Sequence, residues 1–515
     1  MKTTVALAAD AADEVNNVAR RSLVLAGGGM RVAWQAGVLK ALYEGGLRFQ
    51  HGDGTSGGTM NLGMLLSGLT PDEMCERWRS LDVKDFVSLL PMRDYLKGFS
   101  AKAMGDADGI VEKVFPHLGI DPARIRMAEG MAGSFNVCNF TRKTNEAVPH
   151  TEIDLDLLVA GISLPVFMPP VRRGDTEYLD SVWIKDANVI EAVKRGAEEV
   201  WLVWCIGNTP RYRDGAFNQY VHMIEISAAG KLNEELDWVR ELNERIARGD
   251  SPYGQTKQIT LHVVKPEKPL PLDPDFYLGR IDSATLVDRG YADAMRYLGA
   301  RSPQGVALTP EATQMQDAGV GIAFRETMAG HFALGAGDPK AGAALGKTSN
   351  IQLAMHASID VEDIEAFIAD PQHVSGLSGH IDFPPLGLNI PASHGVFALF
   401  MPGDEPGLRW MVYELGFQHG GKDYYLAGKK EVRVASPLAM WSATTTLYTR
   451  LHEGRDASGP VVGAGVLSLG VSALMSLAST FHATNAPSIG KSMGAVGKFI
   501  GFFTRSLVST YLLRR

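Results

Sequence analysis

Gly54-Thr55-Ser56-Gly57-Gly58 is the stretch on which the reading of this chain turns. It fits G-x-S-x-G, the pattern of a serine placed on a sharp turn between a strand and a helix. A nucleophilic hydroxyl must stand clear of the backbone, which crowds its neighbours, and Gly54 and Gly58 bring no Cβ to obstruct the turn. In a chain with 56 glycines the pentapeptide says little by itself, so the flanking sequence has to carry the reading.

Upstream, Arg21-Ser-Leu-Val-Leu-Ala26 reads as a short apolar strand running into Gly27-Gly28-Gly29-Met30-Arg31. From Val32 to Tyr43 the apolar residues Val32, Trp34, Val38, Leu39 and Leu42 follow a helical period. A glycine-rich loop between strand and helix aims several backbone N–H groups at one spot, where the helix dipole also favours negative charge. A dinucleotide fingerprint would need a further glycine where Val32 stands, and the Gly-Lys-Ser/Thr of a nucleotide-phosphate loop is absent. What remains is an oxyanion-binding loop or a tight structural turn. Between Gly29 and Ser56 there is room for one helix and one short strand, which sets both loops at the carboxyl edge of one parallel sheet. Oxyanion donors beside a nucleophile are what acyl transfer needs. The lead-in Phe49-Gln-His-Gly-Asp-Gly54 is too polar for a long buried strand, so a short one is expected.

The chain has 515 residues, enough for two or three domains, and 45% hydrophobic content, enough for large cores. A formal charge of −8 without a long basic run argues against a nucleic-acid partner. Cys75, Cys138 and Cys205 are odd in number and widely spaced, which suits reduced thiols better than a disulfide framework or a metal cluster. Val5 to Ala9 is too short for a secretory signal and reads as a leader, so a cytoplasmic location is expected, with peripheral membrane contact as an option.

Further along, residues 218–248 read as a long helix with Ile224, Ile226, Leu232, Leu236, Trp238, Val239 and Leu242 toward one buried face. Gln258 to Val264 reads as a strand and Tyr277 to Arg296 as a closing helix. Between Asp82 and Phe99, the apolar Phe86, Leu89, Leu90, Met92, Tyr95, Leu96 and Phe99 suit either a lid or core packing. Beyond Ile322, alternating runs punctuated by Gly and Pro predict an antiparallel β domain, a sandwich or curved sheet. Gly459 to Phe481 is apolar and uncharged but rich in Gly and Ser, and Met493 to Leu513 is amphipathic. The tail suits two helices packed on the β domain, or one lying on a membrane surface. The domains expected are a leader over 1–20, a catalytic unit over 21–305, a β domain over 306–455 and helices over 456–515.

The glycine loop, Ala36-Gly-Val-Leu-Lys-Ala-Leu42 and the Ser56 pentapeptide together resemble the opening of the patatin-like phospholipases. Leu164-Pro-Val-Phe-Met-Pro-Pro170 resembles that family's apolar segment before its second catalytic motif, and Tyr178-Leu-Asp-Ser-Val-Trp183 occupies the motif's place. The resemblance spans roughly Arg21 to Gly207 and implies a three-layer α/β/α domain with a mainly parallel sheet. It further implies Ser56 as nucleophile, Asp180 as base and the Gly27, Gly28 and Gly29 amides as oxyanion hole, with no cofactor or metal and a lipid or other ester as substrate. Arg31 is expected to brace the glycine loop or attract an anionic head group. Ser181-Val182 departs from the family's Asp-Gly-Gly or Asp-Gly-Ala; a β-branched Val resists positive φ, so the turn after Asp180 must use an ordinary conformation or hold the base differently. In the second half, Phe324 to Gly330, Gly379 to Pro385, and Ala427 to Val432 with Thr444 to Tyr448 resemble a segment of bacterial glucose–methanol–choline-type sterol oxidases. This implies a lipid-handling or docking module with no catalytic residue assigned.

The expected activity is a serine lipid acyl hydrolase of the phospholipase A or lipase/esterase type. Three other readings stay open: an acyltransferase using the same dyad, a Ser-His-Asp hydrolase drawing on His222 or His262, and a lapsed lipid-binding or scaffold protein.

Overall fold

The computed structural model describes residues 20–86, 107–208, 210–317, 319–403, 405, 408–432 and 445–511. The lid or core-packing segment expected between Asp82 and Phe99 lies, from residue 87 on, outside the described residues, as do residues 1–19 of the leader and the segment 433–444.

The first half is built on an eight-stranded sheet. Its strands are β1 (Arg21–Leu25), β2 (His51–Thr55), β3 (Ala132–Asn139), β4 (Thr144–Pro149), β5 (Val171–Arg173), β6 (Thr176–Asp180), β7 (Glu199–Val203) and β8 (Thr260–Val264). They run in the order β5-β6-β3-β2-β1-β7-β8, with β4 also on β3. In that order the five from β3 to β8 are mutually parallel, and β4, β6 and β5 add antiparallel pairings. Alternation along the central strands builds three layers. In and just past β1, Leu23 and Leu25 point into one core while Val24 and Ala26 point into the other; in and just past β7, Trp201, Val203 and Cys205 oppose Val200, Leu202, Trp204 and Ile206.

One face carries α1 (Ala33–Glu44), α2 (Gly58–Leu66), α3 (Pro71–Ser80), α4 (Leu155–Ile162) and, later in the chain, a helix over Ser283–Ala300. A capping box fixes the start of α3: the Thr70 hydroxyl accepts from Glu73 N–H, and the Glu73 carboxylate accepts from Thr70 N–H. The other face is covered by α5 (Ala216–Ala247), through Ile224, Ala228, Leu232, Leu236, Val239, Leu242 and Ile246. Ile226, expected on that face, is exposed, because two residues along a helix turn a side chain to the far side. The closing helix is α6 (Ser283–Ala300), started by Asp282 as N-cap and not at Tyr277. It crosses α1 at two glycines: a Cβ on Gly37 would sit 2.0 Å from the Val287 carbonyl oxygen, and one on Gly290 1.9 Å from that of Trp34.

The second half is a closed, eight-stranded antiparallel barrel. Its strands are β9 (Gly321–Leu334), β10 (Gln352–Val361), β11 (Val374–Phe383), β12 (Gly387–Pro402), β13 (Arg409–His419), β14 (Lys422–Val432), β15 (Thr446–Glu453) and β16 (Val461–Ser468). Each pairs with the next, and β9 closes the ring by pairing with both β10 and β16; β17 (His482–Thr484) adds to the start of β9. The expected β domain is thus present, and of the two forms expected it is the curved sheet, closed into a barrel. Closure removes the open edges that a sandwich must protect.

Val306, Leu308, Ala312 and Met315 pack on the face covered by α5, and the first part of the apolar tail, Val461–Ser468, is the strand that closes the barrel. The helices α7 (Pro339–Ser349), α8 (Val471–Thr480) and α9 (Ile489–Tyr511) complete this half. Ala495 and Phe499 of α9 pack into the barrel core against Phe324, Phe367 and Phe481, whereas Ile489, Met493 and Ile500 face outward. Among the described residues no helix is long and apolar enough to cross a membrane.

Along the barrel wall, residues alternate between the interior and α6. Leu353, Met355, Ala357 and Ile359 fill the interior, while Ser358 and Asp360 reach Thr285 (3.3 Å) and Arg289 (3.0 Å) of α6. His380 of β11 reaches Asp288 of the same helix, and Asp288 is also ion-paired with Arg79 of α3.

Candidate active site

Ser56 opens the turn after β2 with φ of 51°, a left-handed conformation that a residue with a Cβ adopts only at a cost on the order of 1–3 kcal/mol. The turn is forced by crowding: a Cβ on Gly58 would lie 2.2 Å from the Leu25 carbonyl oxygen, so α2 packs directly on the end of β1. The strained serine projects its hydroxyl toward Asp180, at the end of β6, and donates to Oδ2 at 2.6 Å. The opposite oxygen of Asp180 accepts from the Val182 N–H at 2.9 Å. Ser181, Val182 and Trp183 form one 3-10 turn with no positive φ, so the residues that replace the usual glycines are accommodated by an ordinary conformation. Burial pushes the Asp180 carboxyl up to about 7, against the opposing pull of its bonds from Ser56 and Val182.

The glycine loop lies against this pair. A Cβ on Gly27 would fall 2.7 Å from Ser56 Cβ, so the loop can approach only as glycine. Three carbonyls in and just before it are tied back: Ala26 O accepts from Gln35 Nε2, Gly27 O from the Cys205 thiol, and Gly28 O from Arg31 Nε. Arg31 is itself buried, its Nε donating to the Gly28 carbonyl oxygen at 2.9 Å. Two of the loop's amides are also engaged, Gly27 N–H with the Asp186 carboxylate (3.0 and 3.2 Å) and Met30 N–H with Asp273 Oδ1 (3.2 Å). Among the described residues, the N–H groups of Gly28 and Gly29 have no hydrogen-bond partner. Of the three amides expected to form an oxyanion hole, two therefore remain available, and Gly27 is used to anchor the loop.

The polar lead-in strand is also explained here. His51 is flanked by the hydroxyls of Ser22 and Ser134, and Asp53 accepts from Ser134 and from Asn136 Nδ2 (2.6 Å). Asn136 in turn accepts from Asn145 and Asn188, and Ser181 donates to Asn145. A buried network thus joins the strand before Ser56 to the turn after Asp180. Burial lifts the Asp53 carboxyl to about 7 and drops His51 to about 3.

Asp186, Asp273 and the Asp53 network were not singled out from sequence; an acidic residue six positions after Asp180 was the only signal for Asp186. The histidines considered for a triad are engaged elsewhere: His222 with Glu225 and the Arg213 N–H, His262 with Tyr297. All three cysteines are free and buried. Around the dyad, no cluster of side chains with metal-ligand spacing is found among the described residues.

No curated protein matches this chain. Among solved structures it is similar to the crystal structure of VipD from Legionella pneumophila, at 13% identity and a TM-score of 0.31, over 55% of this chain and 67% of that one. The segment that carries the glycine loop, Ser56 and Asp180, residues 23–193, matches the family model of the patatin-like phospholipases.

Proposed function

We propose that this chain is a serine lipid acyl hydrolase, cleaving carboxylic esters of the phospholipase A or lipase/esterase type through a Ser56–Asp180 dyad. The observation that carries the reading is the 2.6 Å hydrogen bond from the Ser56 hydroxyl to a buried carboxylate, beside two unpartnered loop amides. Ser56 Oγ attacks the ester carbonyl carbon while its proton passes to Asp180. The oxygen that becomes negative is received by Gly28 and Gly29 N–H. Collapse of the tetrahedral intermediate expels the alcohol, which takes the proton from Asp180. Water, deprotonated by the same carboxylate, then attacks the acyl-serine and releases the fatty acid. A carboxyl near 7 suits this shuttle, since it accepts and returns a proton near neutral pH.

The test is hydrolysis of a panel of acyl esters and phospholipids by wild type, Ser56→Ala and Asp180→Asn, with fluorophosphonate labelling of the serine. Turnover lost in both folded variants, with labelling lost in Ser56→Ala, supports the dyad. A folded wild type that is inert on every ester and unlabelled overturns it and favours the lipid-binding reading. Acyl transfer to an added alcohol in place of water, by the same dyad, identifies the acyltransferase.

A further inference from the structure

The segments singled out in the second half of the sequence, Phe324 to Gly330 and Gly379 to Pro385, meet on the outer wall of the barrel. There Thr327, His356 and His380 stand directly opposite one another across β9, β10 and β11, with Asp382 one step further along β11. The two imidazoles stack at 4.4 Å, and one ligand atom from each of His356, His380 and Asp382 lies within 4.8 Å of the other two. We infer that His356, His380 and Asp382 form a binding site for a divalent transition cation of the zinc class.

The donor set supports this. Two imidazoles and one carboxylate are a common three-ligand set for zinc, leaving a position for water. His356 Nε2 and Asp382 Oδ2 are 3.1 Å apart, close to the roughly 3.3 Å between two ligands bound at tetrahedral angles about 2 Å from one ion. Each prospective ligand is also held from behind. The Thr327 hydroxyl is 3.1 Å from His356 Nδ1, Asp288 Oδ2 is 2.8 Å from His380 Nδ1, and Asn389 N–H donates to the other oxygen of Asp382 at 2.7 Å. A carboxylate behind an imidazole and a hydroxyl behind another are the partners that orient metal-bound histidines through the nitrogen not bound to the ion. His380 Nε2 has no hydrogen-bond partner among the described residues. Arg79 also approaches His380 Nδ1, at 3.2 Å, but its charge is matched by Asp288, which it ion-pairs.

Loading the ion exchanges the His356–Asp382 hydrogen bond for two metal–ligand bonds. His356 then carries its proton on Nδ1, donating to Thr327, and the stacked rings swing so that both Nε2 lone pairs converge. Because Asp288 belongs to α6, the ion would tie the barrel wall to the α/β domain through His380. The three residues are partly exposed, so an ion can enter from solvent.

The test uses the full chain, stripped with chelator, and titrates Zn(II) by calorimetry and Co(II) by visible absorption. Expected are one ion per chain, a visible Co(II) ligand-field band, and at least a tenfold loss of affinity in His356→Gln and in Asp382→Asn. Thr327→Val removes a positioning hydroxyl without touching a ligand and is expected to weaken binding about 10-fold. Ser56→Ala binds the ion like wild type, which separates this result from that of the hydrolase test. Absence of saturable binding, or binding unchanged in a folded His356→Gln/Asp382→Asn double variant, overturns the inference.

Discussion

The Gly27 amide and the Asp186 carboxylate are hydrogen-bonded at 3.0 Å across 159 residues of sequence, and this bond sets the loop that faces Ser56. Burial, reinforced by the charge of Asp180, pushes Asp186 up to about 8, so near neutral pH it is largely the neutral acid. Asp186→Ala frees the loop amide and is expected to lower kcat about 10- to 100-fold, since a small misplacement of oxyanion donors costs that much. Asp186→Asn keeps an acceptor for Gly27 and should restore most of the rate. Because Asp186 is already the neutral acid across the acid limb, the substitution removes no charge there, and that limb of the pH–rate profile should stay in place. Steady-state kinetics on a fluorogenic ester check both, and an acid limb displaced to lower pH in Asp186→Asn would show that Asp186 is ionised beside Asp180 in the wild type.

In the proposed dyad Asp180 serves as base only when ionised, and its carboxyl is raised to about 7. Wild-type kcat/KM should therefore rise about tenfold per pH unit below 7 and level off above it. A rate already flat between pH 5 and 8 would show that another group, or an unshifted carboxylate, takes the proton.

Asp53 makes the opposite demand on stability. Its folded value of about 7 lies above the ordinary 3.8, chiefly through burial. Its contribution is thus fully present below about pH 4 and is lost as pH rises through 7. Relative to Asp53→Asn, which does not titrate, wild type should lose on the order of 3 kcal/mol between pH 5 and pH 8. Urea unfolding of both proteins at the two pH values measures this, and equal losses in the two would refute it.

The crossing of α1 and α6 depends on two glycines. Gly37→Ala would drive a methyl into the Val287 carbonyl and is expected to destabilise by about 1–3 kcal/mol or more. Gly230, in the interior of α5, has open space where a methyl would stand, with nothing within 4 Å, so Gly230→Ala should stabilise by about 0.5–1 kcal/mol. Chemical denaturation of the two variants should give opposite signs.

What the sequence by itself determined is local. The alternation of Leu23 and Leu25 against Val24 and Ala26 announces a strand buried on both faces, and the spacing from Ile224 to Leu242 announces α5. Ser56 is singled out by its pentapeptide and Asp180 by the apolar segment that precedes it, and the structure brings the two within 2.6 Å. The antiparallel strands of the second half were legible too, but not their closure, because β16 is so rich in Gly and small residues that its alternation is faint. Only the tertiary structure decided which loop amides stay free, why a polar strand is buried before Ser56, and which barrel residues face α6. Those outcomes depend on groups far apart in the chain, such as Gly27 with Asp186 and Asp53 with Asn136, arriving at one place. A buried amide or carboxylate must find a partner wherever the fold supplies one, and periodicity along the chain carries no record of which partner that is.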